Sequence, residues 1–339
     1  MPTNSSSHLL IPFAACSAES WLPAMQAMPQ DSMKRLRQLL DRLSLAHTDS
    51  GSAESLSPPH ERALARAIGF AGEQMPDGLV PWAASDAAVA LEAVNTNSIA
   101  KAWAWITPCH WAMGHLHATL SDPAALALRE DESRELLAIM QPYFETDGIT
   151  LHYLAPERWL AEGELFRKLP TASLDRVLAR NVDAWLPDSQ PAAPLRRLQN
   201  EMQMLLYTHP FNDAREARRQ IPVNSFWISG TGDLPATAGS GETLPPALFQ
   251  GEREKVRVPR GLAQAVFRED WLAYQQAWQA LDASEIAALL ARQQAGETVR
   301  LTLCGERNAL TFETGAATLR TRISRIFNPL RMLDVLEQL

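Results

Sequence analysis

Apolar residues recur at helical spacing in several blocks of this chain. Met33, Leu36, Leu39, Leu40 and Leu43 share one face of residues 33–45, with basic residues opposite, which predicts an amphipathic helix. The Ser/Gly/Pro-rich text that follows, "AHTDSGSAESLSPPHE", reads as an exposed loop. A helix resumes in "PHERALARAIGFAG", with Pro59 suited to its start and Gly72 to its stop. The Ala-rich run after Ser85 favours helix, whereas "AWAWITP" alternates and predicts a buried strand ended by Pro108. Asp122-Pro123 opens another helix, and "DGITLHYLAPERWLA" reads as a turn, a short strand and a further turn or helix.

In the second half, residues 195–207 predict a helix and "VNSFWISGTG" a strand that ends at glycines. Residues 231–259 are rich in Gly, Pro and Ser and read as a long mobile loop. Trp271, Tyr274, Trp278 and Leu281 mark one face of the next helix, and Asp282 with Glu285 predicts a capping box for the one after it. "VRLTLCGERNALTFET" predicts a hairpin turning near Glu306–Asn308, and a final helix closes the chain. The fold class expected is α+β, helix-rich and mixed. Four consecutive regions follow: an N-terminal helical region over 1–84 with an exposed loop at 46–60, a central α+β region over 85–232, a mobile loop at 233–259, and a helix-hairpin-helix region over 260–339.

Composition narrows the function classes. Apolar residues make up 46% of 339, enough for a sizeable core. A net charge of −8 gives no global field for nucleic acid or anionic lipid, so neither partner is expected. Cys16, Cys109 and Cys304 are too few and too scattered for a disulfide framework and fit a reducing compartment. The apolar patch at 9–16 has no Lys or Arg before it and is broken by Pro12, which argues against a signal peptide. No stretch approaches the roughly 18 apolar residues that a membrane span needs. A cytoplasmic location is the expectation.

One stretch holds an unusual polar inventory: "NEMQMLLYTHPFNDAREARRQIPVNSFWISGTG", from Asn200 to Gly232. It resembles the hallmark segment of the RpfE-type regulatory proteins of bacteria. The resemblance extends to "HWAMGHLHATLSDPAALAL", "LHYLAPERW" and "RNVDAWLP". That group is often labelled cofactor-independent phosphoglycerate mutase-like. His209, Pro210, Asn212, Arg215, Pro222, Asn224 and Gly230 match a pattern similar to one in the inserted domain of archaeal-type mutases. Ser229 departs from it, standing where the mutases carry an Arg. The resemblance implies that part of the fold is like that inserted domain.

Physically, the segment admits two readings. Arg215 could make bidentate contacts to a phosphate or carboxylate, with amide donors from Asn212 and Asn224 and a versatile His209. Asn200 and Gln203 complete this candidate anion site. Alternatively these side chains wire the fold, with Arg215 and Asn224 as the central polar pair of a sharp helix-to-strand reversal.

The two-metal phosphoryl transfer that the mutases' superfamily implies needs grouped Asp and His ligands. Asp77-Gly78 and Asp147-Gly148 are poor copies of its first ligand turn, and every His lies at or before position 209. His110, His115 and His117 near Cys109 are weak metal candidates, with buried, hydrogen-bonded histidines as the default. No nucleophile elbow, P-loop or dinucleotide fingerprint occurs. The expectation is a protein of binding or regulatory role with no catalysis and no cofactor. Its partner would be a small phosphorylated or carboxylate ligand, or another protein. The alternative is a mutase or metal-dependent phosphatase with a non-standard site, using a divalent metal.

Overall fold

Eleven strands are present among the residues that the computed structural model describes, which are 7–29, 31–70, 75–91, 101–114, 117–234, 253, 255–315 and 332–339. In chain order they are β1 (Ser7–Ile11), β2 (Ser44–Ser50), β3 (Trp103–Cys109), β4 (Trp111–Met113), β5 (Ala118–Leu120), β6 (Thr150–Ala155), β7 (Arg158–Glu162), β8 (Ser225–Gly232), β9 (Val256–Arg257), β10 (Val299–Cys304) and β11 (Asn308–Glu313). Helices interleave with them, so the architecture is α+β. The chain divides into two compact units along lines other than the four consecutive regions expected. One unit takes residues 1–54, 58–69 and 251–339, and the other takes 55–57 and 70–250.

The first unit is built on a sheet of order β2-β11-β10-β1-β9. β1 runs parallel to both β10 and β9, and β11 is antiparallel to its neighbours β10 and β2. Alternation along the strands sets two faces. Leu9, Ile11, Leu301, Leu303, Leu310 and Phe312 point into a core completed by helices Lys34–Leu40, Trp271–Ala283 and Glu285–Gln294. Each large apolar side chain buried there contributes about 1.5–3 kcal/mol before entropy is counted. The opposite face carries Leu10, Cys304 and Ala309 against Ala63 of the Pro59–Ala67 helix.

Three expectations are corrected in this unit. The helix read over 33–45 ends at Leu40, and Ser44–Ser50, read largely as loop, is strand β2. It is mostly exposed and shows no apolar alternation, because its place is secured by backbone pairing along β11. The Pro59 helix ends at Ala67, followed by Gly69 at φ +81°, earlier than the stop expected at Gly72, itself outside the described residues. Asp282 does not box the Glu285–Gln294 helix. It accepts from the backbone N–H of Leu36 (2.8 Å) and Arg35 (3.2 Å), capping a helix remote in sequence. Most of the expected 233–259 loop lies outside the described residues; within its range Val256–Arg257 pairs with β1.

The second unit holds an antiparallel sheet of order β6-β7-β3-β8 and the small β4–β5 hairpin. Ala104, Ile106, Trp159, Ala161, Phe226 and Ile228 cover one face, packed on helices Glu130–Glu145 and Ala193–Tyr207. The Trp82–Ala90 helix lies against β3 and β8. Pro108 does not end its strand: β3 continues to Cys109, pairing Pro108 with Phe226 and Cys109 with Ser225. The helix opened by Asp122 is a single 3-10 turn, Pro123–Leu126, capped through Ala124 N (3.0 Å). The element after "LHYLA" is strand β7.

Candidate functional site

The Pro210–Ala217 helix sits between the Ala193–Tyr207 helix and β8, and it organises the polar segment. His209 is its N-cap: the ring Nδ1 accepts from Phe211 N (3.1 Å), and Pro210 fills the first position, where no N–H is needed. Buried Asn212 donates to Leu206 O (2.8 Å) and Val223 O (2.7 Å) and accepts from Val223 N (3.0 Å). One amide thus ties the end of one helix to the approach of β8. Asn224 does the same for the β4–β5 hairpin, accepting from Trp111 N (2.7 Å) and donating to Trp111 O (3.0 Å).

Arg215 is the centre of the arrangement, with 0% of its side chain exposed. Its Nε donates to Ile221 O (3.0 Å), Nη2 to Leu126 O (2.5 Å) and Nη1 to Glu132 Oε2 (3.3 Å). Glu132, also buried, accepts from Arg218 and from the backbone N of Arg129 (3.2 Å). Burial pulls the Arg215 pKa below its ordinary value; the Glu132 charge opposes this, while Arg218 and Arg129 add to it. The expected pairing of Arg215 with Asn224 is replaced by Arg215 with Glu132. Asn224 is occupied by Trp111, and the charged acceptor at the guanidinium comes from another helix. Glu132 was missed because nothing in "LREDESREL" distinguishes it from the other acids of a first helical turn.

The six candidate residues differ in exposure. Asn212 and Arg215 are buried, His209 and Asn224 are half-buried at separate junctions, Gln203 is half-buried and Asn200 is exposed on the Ala193–Tyr207 helix. Among the metal candidates, His110 directs Nδ1 to Pro222 O (2.9 Å) and must donate there, since a carbonyl only accepts. His117 is exposed, and His115 is outside the described residues. Among the described residues no three His, Cys, Asp or Glu side chains are grouped to hold a metal. Burial pushes the Cys109 thiol pKa up, which keeps it protonated beside His110.

The two Asp-Gly pairs are turns. Asp77 accepts from Leu56 N (2.7 Å) and Ser57 N (2.8 Å), stapling residues 55–57 into the second unit. Gly78 sits at φ +75°, where a Cβ would meet Leu56 Cδ1 at 2.6 Å. Asp147 pairs with Arg197, and Gly148 at φ +70° leads into β6.

A different place carries an open cavity. In the first unit, just beyond the carboxyl ends of the parallel strands β1 and β10, lies a cleft of about 310 Å³. Ala15, Cys16, Trp21, Leu336 and Leu339 give it an apolar wall, and Ser17, Glu306, Arg307, Asn308 and Glu337 supply polar groups. Crevices outside the carboxyl ends of parallel strands are where such sheets receive ligands, and the volume is at the small end of the range for ligand pockets.

The loop leaving β1 is held under strain. Phe13 adopts φ +53°, a left-handed conformation that costs a bulky residue about 1 kcal/mol or more. Ala14 N donates to Cys304 O (2.8 Å), and buried Tyr274 directs its hydroxyl to Phe13 O and Ala14 O (both 2.9 Å) while accepting from Trp21 Nε1 (3.2 Å). Glu306 Oε2 accepts from Ser17 N (2.8 Å) and Ser17 Oγ, clamping this loop to the β10–β11 turn. These residues escaped sequence reasoning because only the parallel pairing of β1 with β10 brings them together.

No family model matches the chain, and no curated protein matches it. Among solved structures it is similar to the PH0037 protein from Pyrococcus horikoshii, with 11% identity and a TM-score of 0.40 over 93% of this chain and 89% of that one. It is also similar to the cofactor-independent phosphoglycerate mutase from Thermoplasma acidophilum, with 12% identity and a TM-score of 0.35 over 98% of this chain and 100% of that one. Both likenesses are loose. In the described residues no helix is long and apolar enough to cross a membrane.

Proposed function

We propose that this is a non-catalytic, phosphoglycerate mutase-like protein with a binding or regulatory role, of the bacterial RpfE type that its residues resemble, acting in the cytoplasm. The observation that carries the reading is how the signature residues are used. Arg215 commits Nε, Nη1 and Nη2 to Ile221 O, Glu132 and Leu126 O with none of its side chain exposed. Asn212 spends its amide on Leu206 and Val223, and Asn224 spends its own on Trp111. A pattern whose donors are consumed by backbone carbonyls serves the fold, and an anionic substrate would have to displace those bonds at full desolvation cost. Asp77 and Asp147 are engaged in contacts that hold their turns, which supports reading both Asp-Gly pairs as structural.

The test is direct. The purified protein should interconvert 3- and 2-phosphoglycerate no faster than buffer, with or without added manganese. Turnover that rises with the metal and disappears with a chelator would instead establish a mutase or phosphatase working through a non-standard site.

A further inference from the structure

The geometry points to the cleft beyond β1 and β10 as a binding site for a small zwitterion, an α-amino acid with an apolar side chain being the simplest occupant. This rests on reading the protein as a non-catalytic binder and names the chemistry of what it would bind.

Charge decides the class. Two residues with side-chain carboxylates, Glu306 and Glu337, and one with a guanidinium, Arg307, line the same cleft. A free dianion such as phosphate would be repelled by the two acids, and a simple amine would leave the exposed Arg307 unmatched. A molecule carrying an ammonium and a carboxylate a few bonds apart satisfies both signs, with the carboxylate suited to the planar Arg307 fork.

The groups are also held in place. Ser17 orients Glu306 through its backbone N–H and its hydroxyl, and Arg62 Nη2 donates to Arg307 O (3.0 Å), fixing the turn that presents both residues. Trp21, Leu336 and Leu339 line the remainder, where an apolar side chain would displace water. The left-handed Phe13, secured by Tyr274, shapes this same loop, and backbone strain of this kind concentrates at ligand sites.

Isothermal titration of the full-length protein with L-leucine tests the inference, alongside two analogues of the same skeleton. Isoamylamine lacks the carboxylate, and 4-methylpentanoate lacks the ammonium. Leucine should bind, and each analogue should bind at least about tenfold more weakly, a loss of about 1.4 kcal/mol. Arg307→Gln should reduce leucine to the level of isoamylamine, and Glu337→Gln should bring it toward 4-methylpentanoate, with unchanged melting temperatures in both. The inference is overturned by absence of leucine binding at about 10 mM, weaker than ordinary specific affinities. It is equally overturned if isoamylamine matches leucine, or if Arg307→Gln leaves leucine affinity intact. Mutase turnover together with leucine binding would sink the functional reading and leave the site standing. Absence of both would sink the site alone.

Discussion

Replacing Arg215 with alanine removes the donor set on which the junction of the Pro210–Ala217 helix depends. The side chain is 0% exposed, and its partner Glu132 is 5% exposed, so water cannot readily take its place. Truncation strands two backbone acceptors, Leu126 O and Ile221 O, each worth about 1–3 kcal/mol if left unpaired in the interior. Breaking a buried ion pair by removing one partner can cost about 3–5 kcal/mol. Here that term is reduced, because Glu132 keeps Arg218 and the Arg129 backbone N–H. Recovery of the arginine's own desolvation lowers the total further. About 3–4 kcal/mol is expected, which for a unit of this size lowers the melting midpoint by roughly 6–16 °C. Far-UV circular dichroism melts with a parallel urea titration measure it. Glu201→Ala, which removes an exposed i,i+4 pair with Arg197, should leave the midpoint in place and serves as the control. A midpoint for Arg215→Ala within about 1 °C of the parent would refute the wiring argument and point back to an open anion site.

Three more outcomes follow from local geometry. Burial, seconded by the charge of Arg300, lowers the His8 pKa from 6.5 to about 3, so between those values the unfolded chain binds a proton that the folded chain does not. Stability should therefore be whole above pH 6.5 and fall as the pH drops toward 3, by at most about 1.4 kcal/mol per pH unit; urea midpoints of parent and His8→Gln with the same pH slope would contradict this. Gly230→Ala forces a Cβ to 2.9 Å from the Trp105 ring at φ +63°, and should destabilise by roughly 2–4 kcal/mol; an unchanged melt would show that the backbone there yields easily. Asn224→Ala releases both bonds to Trp111, so amide exchange in the β4–β5 hairpin should quicken while Met202–Leu206 stay protected; equal protection in the variant and the parent would remove Asn224 from that role.

Local patterns were enough for the elements whose stability is local. The Ala193–Tyr207 and Trp271–Ala283 helices follow from their apolar stripes, and the β10–β11 hairpin from two alternating runs about a polar turn. The polar density of 200–232 likewise announced a junction whose backbone needs side-chain partners. Long-range partners decided the rest. Strand β2 lacks an apolar pattern and exists through the backbone of β11. Asp282 is a good cap by type, but the N–H groups it serves lie 246 residues away at Leu36 and nearby Arg35. Glu132 reaches Arg215 across 83 residues. The cleft exists only because β1 pairs in parallel with β10, bringing Ser17 to Glu306 across 289 residues. Side-chain periodicity records which face of an element is buried. It carries no record of which distant backbone or charge completes a cap, an ion pair or a pocket, because those depend on where the whole chain places its ends.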